Sequence, residues 1–79
     1  MKMPRSLSAD SLIKALKLYG YSVDRQKGSH IRITTIVNGT HHITIPNHNP
    51  LKIGTLTSIL ADVAQHHGKT KEEILSELF

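Results

Sequence analysis

Apolar positions along this chain recur first at helical and then at alternating spacing, and the switches between the two mark its elements. Leu12, Ile13, Leu16 and Tyr19 form one stripe behind Ser8, a good N-cap, and Asp10, a negative charge in the first turn. This predicts a helix over about residues 9–19, stopped by Gly20. Tyr21 to Gln26 alternates apolar and polar residues, as a strand with one wet face should, and Lys27-Gly28-Ser29 then turns the chain. The run from His30 to Val37 is rich in β-branched residues and reads as a second strand. Its period of two sets Ile31, Ile33, Thr35 and Val37 toward a core and His30, Arg32, Thr34 and Ile36 outward. Asn38-Gly39 signals a hairpin into a third strand, Thr40 to Pro46, with Ile43 and Ile45 on one side.

Burial decides the register expected for that hairpin. A two-residue Asn38-Gly39 loop would send Ile43 and Ile45 to the face away from Ile31 and Ile33. A three-residue loop, Asn38-Gly39-Thr40 with a bulge at Gly39, pairs Val37 with His41, Thr35 with Ile43 and Ile33 with Ile45, and keeps the isoleucines together. The bulged form is the one expected. It leaves His30, Arg32, Thr34, Ile36, His42 and Thr44 on the open face and, continued past Pro46, brings His48 near His30. Asn47-His48-Asn49-Pro50 reads as a loop. Leu56, Ile59, Leu60 and Val63 predict a second helix from Ile53 or Gly54 to about Gln65, and Gly68 stops it. Thr70-Lys71-Glu72-Glu73 has the spacing of a capping box opening a short third helix with Ile74, Leu75 and Leu78.

The order is α-β-β-β-α, an α+β class with both helices on one face of a three-stranded antiparallel sheet and a short C-terminal helix. That is the layout of the double-stranded RNA-binding domain. Residues 1–79 are expected to form a single domain, with a flexible arm at 1–7 and a helical appendage at 69–79 whose stripe, Ile74, Leu75, Leu78 and Phe79, packs on the body.

Composition narrows the picture. With no cysteine there is neither a disulfide framework nor a thiolate metal site. Apolar runs of two or three residues fall far short of the ~20 that cross a bilayer, so a soluble cytoplasmic protein with no membrane partner is expected. The net charge is +4, but Glu72, Glu73 and Glu77 all lie in the last eight residues, so that residues 1–69 carry +6. A basic body favours a polyanionic partner, of which nucleic acid is the commonest. There is no glycine-rich phosphate loop of the GxxxxGK type and no small-molecule cofactor motif.

Lys27-Gly28-Ser29-His30 holds the chemistry. Lysine and glycine supply a cation and a freely bending backbone, serine a hydroxyl and its own N–H, and histidine a group that exchanges a proton near neutral pH. Those parts suit the handling of a phosphodiester. Among the other histidines, His41 and His42 are adjacent on a strand and point to opposite faces, so only one of them can join His48. No carboxylate or cysteine lies near to complete a tetrahedral set, and no metal site is expected. His66 and His67 are read as finishing the second helix in favour with its dipole.

Four stretches together resemble the HicA-type toxins, small messenger-RNA interferases of bacterial and archaeal toxin–antitoxin pairs with a double-stranded-RNA-binding-domain fold. They are Leu12-Ile13-Lys14-Ala15-Leu16 ending in Gly20-Tyr21; Lys27-Gly28-Ser29-His30; Ile43-Thr44-Ile45-Pro46 with His48; and Leu51-Lys52-Ile53-Gly54-Thr55-Leu56 running on to Ile59-Leu60. They cover about residues 10–65 in the family's order and spacing. The resemblance implies that His30 is catalytic and that a cognate HicB-type antitoxin binds the toxin and masks its site. Ile31-Arg32-Ile33 departs from the polar or aromatic pair usual after that histidine and makes the outward face more basic.

RNA carries its own nucleophile, so an endoribonuclease needs no metal if it takes the 2′-hydroxyl proton, neutralises the developing charge and protonates the leaving 5′-oxygen. The expectation is a metal-independent toxin endoribonuclease cleaving messenger RNA, with His30 as acid or base. Lys27, Gly28, Ser29, Arg25, Arg32 and His48 are its candidate RNA contacts. Two other readings stay open: a non-catalytic RNA-binding module on the same fold, and an adaptor that binds a protein partner.

Overall fold

Ser8 opens the first helix as its sequence promises, its hydroxyl accepting from the Ser11 N–H at 3.1 Å. The computed structural model describes residue 4 and residues 6–79. Part of the arm expected at 1–7 therefore lies outside the described residues, but Leu7 itself packs against the core and its carbonyl accepts from the Leu51 N–H at 2.8 Å. The elements are α1 (Ala9–Leu16), a 3₁₀ turn (Lys17–Tyr19), β1 (Ser22–Lys27), β2 (His30–Thr35), β3 (His41–Pro46), α2 (Ile53–His67) and α3 (Lys71–Leu78). They build an α+β domain whose antiparallel sheet has the order β1-β2-β3. This is the architecture expected, with the last turn of the first helix tightened to 3₁₀.

One core joins the elements. Ile31, Ile33, Ile43 and Ile45 from the sheet meet Leu12 and Leu16 of α1 and Leu56, Leu60 and Val63 of α2. The appendage belongs to it: the Thr70 capping box forms in full, and Ile74 and Leu75 are buried with Leu78 packed against them. Phe79 does not join, being 47% exposed. Between α1 and β1 the chain reverses at Gly20, whose φ of +82° only glycine adopts without strain; a Cβ there would stand 2.9 Å from Thr35 Oγ1 and 2.9 Å from Val37 Cγ2.

Two expectations about the sheet are corrected. The β2–β3 ladder pairs His30 with Pro46, Arg32 with Thr44, Ile33 with Ile43 and Thr35 with His41, so the bulged three-residue loop does not form. β2 ends at Thr35 because that buried side chain is already committed. Its hydroxyl donates to the Tyr19 carbonyl at 2.7 Å and accepts from the Val37 N–H at 3.1 Å. The turn then runs Ile36-Val37-Asn38-Gly39, closed by the Gly39 N–H on the Ile36 carbonyl at 3.2 Å, with Asn38 at a φ of +60°. Val37 is consequently exposed rather than in the core. A slip of two residues returns each side chain to its own face, so the open-face set stands although its partners change.

β1 does not have one dry face; all six of its residues are exposed. Val23 pairs with Ile33, but Arg25 pairs with Arg32, so Asp24 is an extra residue, a β-bulge. The bulge reverses the side-chain phase along β1. Val23 stands on the core side with Ile33, while Arg25 and Lys27 stand on the open side with Arg32 and His30.

Candidate active site

A two-residue turn presents the histidine. Gly28 takes the first central position with a φ of +59°, as a tight type II′-like hairpin turn requires, and Lys27 is thereby set directly opposite His30. The next row of the sheet carries Arg25, Arg32 and Thr44 side by side. These two rows enclose a groove of about 260 Å³ lined by Arg25, Lys27, His30, Arg32 and Thr44. Four residues singled out in the sequence thus share one surface.

The other three candidates stand outside it. Gly28 and Ser29 form the turn at its end, and the Ser29 carbonyl accepts from the Asn47 N–H at 2.6 Å. His48 was expected near His30, but in the observed register Pro46 takes the place opposite His30. His48 is exposed beyond the strand, and its carbonyl accepts from the Ala9 N–H at the start of α1, at 3.1 Å.

The cations of the groove are not equivalent. Arg32 Nη2 pairs with Asp24 Oδ2 at 2.6 Å, and Thr34 Oγ1 donates to the same carboxylate oxygen at 3.0 Å. The Thr34 hydrogen bond first, and the Arg32 guanidinium after it, hold the Asp24 carboxyl below the usual carboxylate range. Because the Thr34 hydrogen is used on Asp24, His42 Nδ1–H donates to Thr34 Oγ1, at 2.8 Å. Arg25 and Lys27 make no ion pair with the described residues, and His30, exposed, makes no side-chain hydrogen bond with them. The groove therefore offers two unneutralised cations, one guanidinium held from the side, and an imidazole open to solvent. That set can hold a phosphate and exchange a proton with it.

Asp24 is the residue that the sequence reading missed, and a signal for it exists. Tyr21, Val23, Arg25 and Lys27 have the same parity, so a regular strand would send apolar and charged side chains to one face. That conflict is what the bulge resolves.

His66 and His67 do more than end α2. His66 Nε2–H donates to the carbonyls of Val37 and Gly39, at 2.9 and 3.1 Å, and its ring stacks on His41 with centroids 4.3 Å apart. His41 Nε2–H donates to Asp62 Oδ1 at 3.1 Å, so its Nδ1 accepts from the Tyr21 hydroxyl at 2.7 Å, and the Tyr21 oxygen accepts from His67 Nε2–H at 3.1 Å. Burial, helped by the charge of Asp62, pushes the Tyr21 hydroxyl up to about 12. His41 and His42 do point to opposite faces of β3, one into this network and one onto the open face. Among the described residues no three His, Asp or Glu side chains are grouped so as to hold a metal ion. No helix among them is long and apolar enough to cross a membrane.

A family model described as the HicA toxin of bacterial toxin-antitoxin systems matches residues 9–70, which takes in α1, the sheet, α2 and the groove. No curated protein and no solved structure matches the chain.

Proposed function

The chain belongs to the HicA toxins of bacterial toxin–antitoxin systems, and we propose that it acts as an endoribonuclease on messenger RNA through His30. The observation that carries the reading is the groove itself. The one imidazole in it stands in a row with Lys27 and beside the row of Arg25 and Arg32, on a sheet face that carries no helix. In the proposed reaction the RNA 2′-oxygen attacks the adjacent phosphorus and the bond from phosphorus to the 5′-oxygen breaks. The proton lost from the 2′-hydroxyl and the proton gained by the leaving oxygen balance, and the products end in a 2′,3′-cyclic phosphate and a 5′-hydroxyl. His30 exchanges one of these protons. Arg25 and Lys27 hold the non-bridging oxygens, with the Arg32 guanidinium beside them, against the charge that builds up at phosphorus. Gly28 shapes the turn, and Ser29 and His48 lie where the strand of RNA leaves the groove.

No step needs a metal ion or a cofactor, and the work is set in the cytoplasm, where messenger RNA is found. The family implies a cognate antitoxin as protein partner; we assign it the open sheet face, since covering that face blocks the groove.

Purified wild-type and His30→Ala proteins incubated with a messenger RNA, with and without EDTA, test the reading. Cleavage by the wild type that is indifferent to EDTA and falls by ~10²–10⁴-fold in the variant is expected. Equal cleavage by both proteins removes His30 from the chemistry. RNA bound but left intact by both points to a binding module.

A further inference from the structure

Asp24 is an acidic residue at the edge of a groove built to attract a polyanion. It is one of only three carboxylates in residues 1–69, whose charge is +6. On electrostatic grounds alone it weakens the hold on RNA. Its place in the sheet gives it two effects. As the extra residue of the bulge, it reverses the phase of β1 and so turns Arg25 onto the face of His30. Its carboxylate also takes Arg32 Nη2 at 2.6 Å, itself steadied by Thr34 at 3.0 Å and, through Thr34, by His42 at 2.8 Å. Arg32 Nε is buried and has no hydrogen-bond partner among the described residues. The guanidinium thus stands where Asp24 holds it, at the cost of an unsatisfied donor, and not where its own hydrogen bonds would be best met.

We propose that Asp24 is a positioning residue: the bulge and carboxylate it contributes set Arg25 and Arg32 around the phosphate that His30 acts on. The proposal rests on the endoribonuclease reading and names a residue for it outside the Lys27–His30 turn. Asp24 touches neither RNA nor the reacting atoms. It acts through Arg32, and its negative charge costs affinity while its geometry serves the chemical step. Loss of a held orientation lowers turnover, and loss of a like charge tightens binding, so the two effects separate in kcat and KM.

The experiment compares steady-state RNA cleavage by wild type, Asp24→Asn, Asp24→Glu, Arg32→Gln and the Asp24→Asn/Arg32→Gln double variant, each with a thermal melt. Asp24→Asn is expected to lower kcat about 10–100-fold while KM stays level or falls. Asp24→Glu is expected to restore part of kcat, and the double variant to be no slower than Arg32→Gln. A rise in KM alongside a lowered melting temperature, an unchanged kcat, or additive losses in the double variant each overturn the proposal. The same proteins are titrated with a short 2′-O-methyl oligoribonucleotide, which lacks the attacking hydroxyl, while the Arg32 Nε–H resonance is followed. A shift in wild type that vanishes in Asp24→Asn is expected. No shift in wild type, or the same shift in the variant, overturns the positioning role even if no RNA is cut. Failure of the wild type to cleave while the resonance behaves as expected instead overturns the nuclease reading alone.

Discussion

A single hydroxyl organises the end of the sheet farthest from the groove. Tyr21 donates to His41 and accepts from His67, so both imidazoles have fixed tautomers, and His66 pins the carbonyls of the hairpin loop. Burial first, and then the charges of His66, His41 and Lys69, hold the His67 imidazole below its ordinary pKa. Tyr19, tilted against its ring, and Tyr21 are the other groups facing it. An unfolded chain takes up this proton near pH ~6.5 whereas the folded one resists. Stability is therefore full above that pH and is lost as pH falls from about 6.5 toward the lowered folded value. Urea unfolding at pH 7.5 and pH 5.5 is expected to show a smaller acid loss for His67→Gln than for wild type; an equal loss in both would place the acid sensitivity elsewhere. None of this was legible in the sequence, where His66 and His67 read as a helix end. Their partners come from Val37, Gly39, His41 and Tyr21, brought in only by the tertiary fold. The turn that presents His30 was legible because it is local: Lys27, Gly28 and His30 are neighbours in the chain.

At the scale of elements, β2 and β3 came through by their faces and failed by their partners, whereas β1 lost its expected dry face to the bulge at Asp24. Period-two burial of Ile31, Ile33, Ile43 and Ile45 fixes which way each side chain points, but a slip of two residues leaves that pattern unchanged. The choice was made instead by Thr35, whose hydroxyl ties β2 to the Tyr19 carbonyl and ends the ladder. The helices were read closely because their caps are local, as at Ser8 and Thr70. Gly20 is the joint on which β1, and with it Arg25, depends. Gly20→Ala adds a Cβ into contact with Thr35 and Val37 at a positive φ. It is expected to destabilise the fold by about 1–3 kcal/mol, the strain and the close contacts outweighing what a less free unfolded chain would gain. A shift of thermal midpoint below that of an exposed control, Gly54→Ala, is the check; equal midpoints would mean the joint is slack.

The whole molecule divides its work between two sides of one sheet. Helices α1 and α2 cover one face, with α3 packed on α2, and the other carries the groove, where Arg25 and Lys27 make no ion pair with the described residues. The acidic residues of α3, Glu72, Glu73 and Glu77, line a separate shallow surface, so the charges are segregated as the sequence already suggested. A polyanion approaching such a body is steered toward the open face. Charge and fold class could be read from residue order alone; the groove could not, because it needs the bulge at Asp24 to bring β1 into phase with β2.

The most direct test of the central claim, that this face cleaves RNA using the RNA's own 2′-hydroxyl, is the chemistry of the new ends. Mass analysis of the fragments made by the wild-type protein is expected to find 2′,3′-cyclic phosphate on one and 5′-hydroxyl on the other. Fragments carrying 5′-phosphate and 3′-hydroxyl would contradict it, since water rather than the ribose would then have been the nucleophile, and His30 would need a different role.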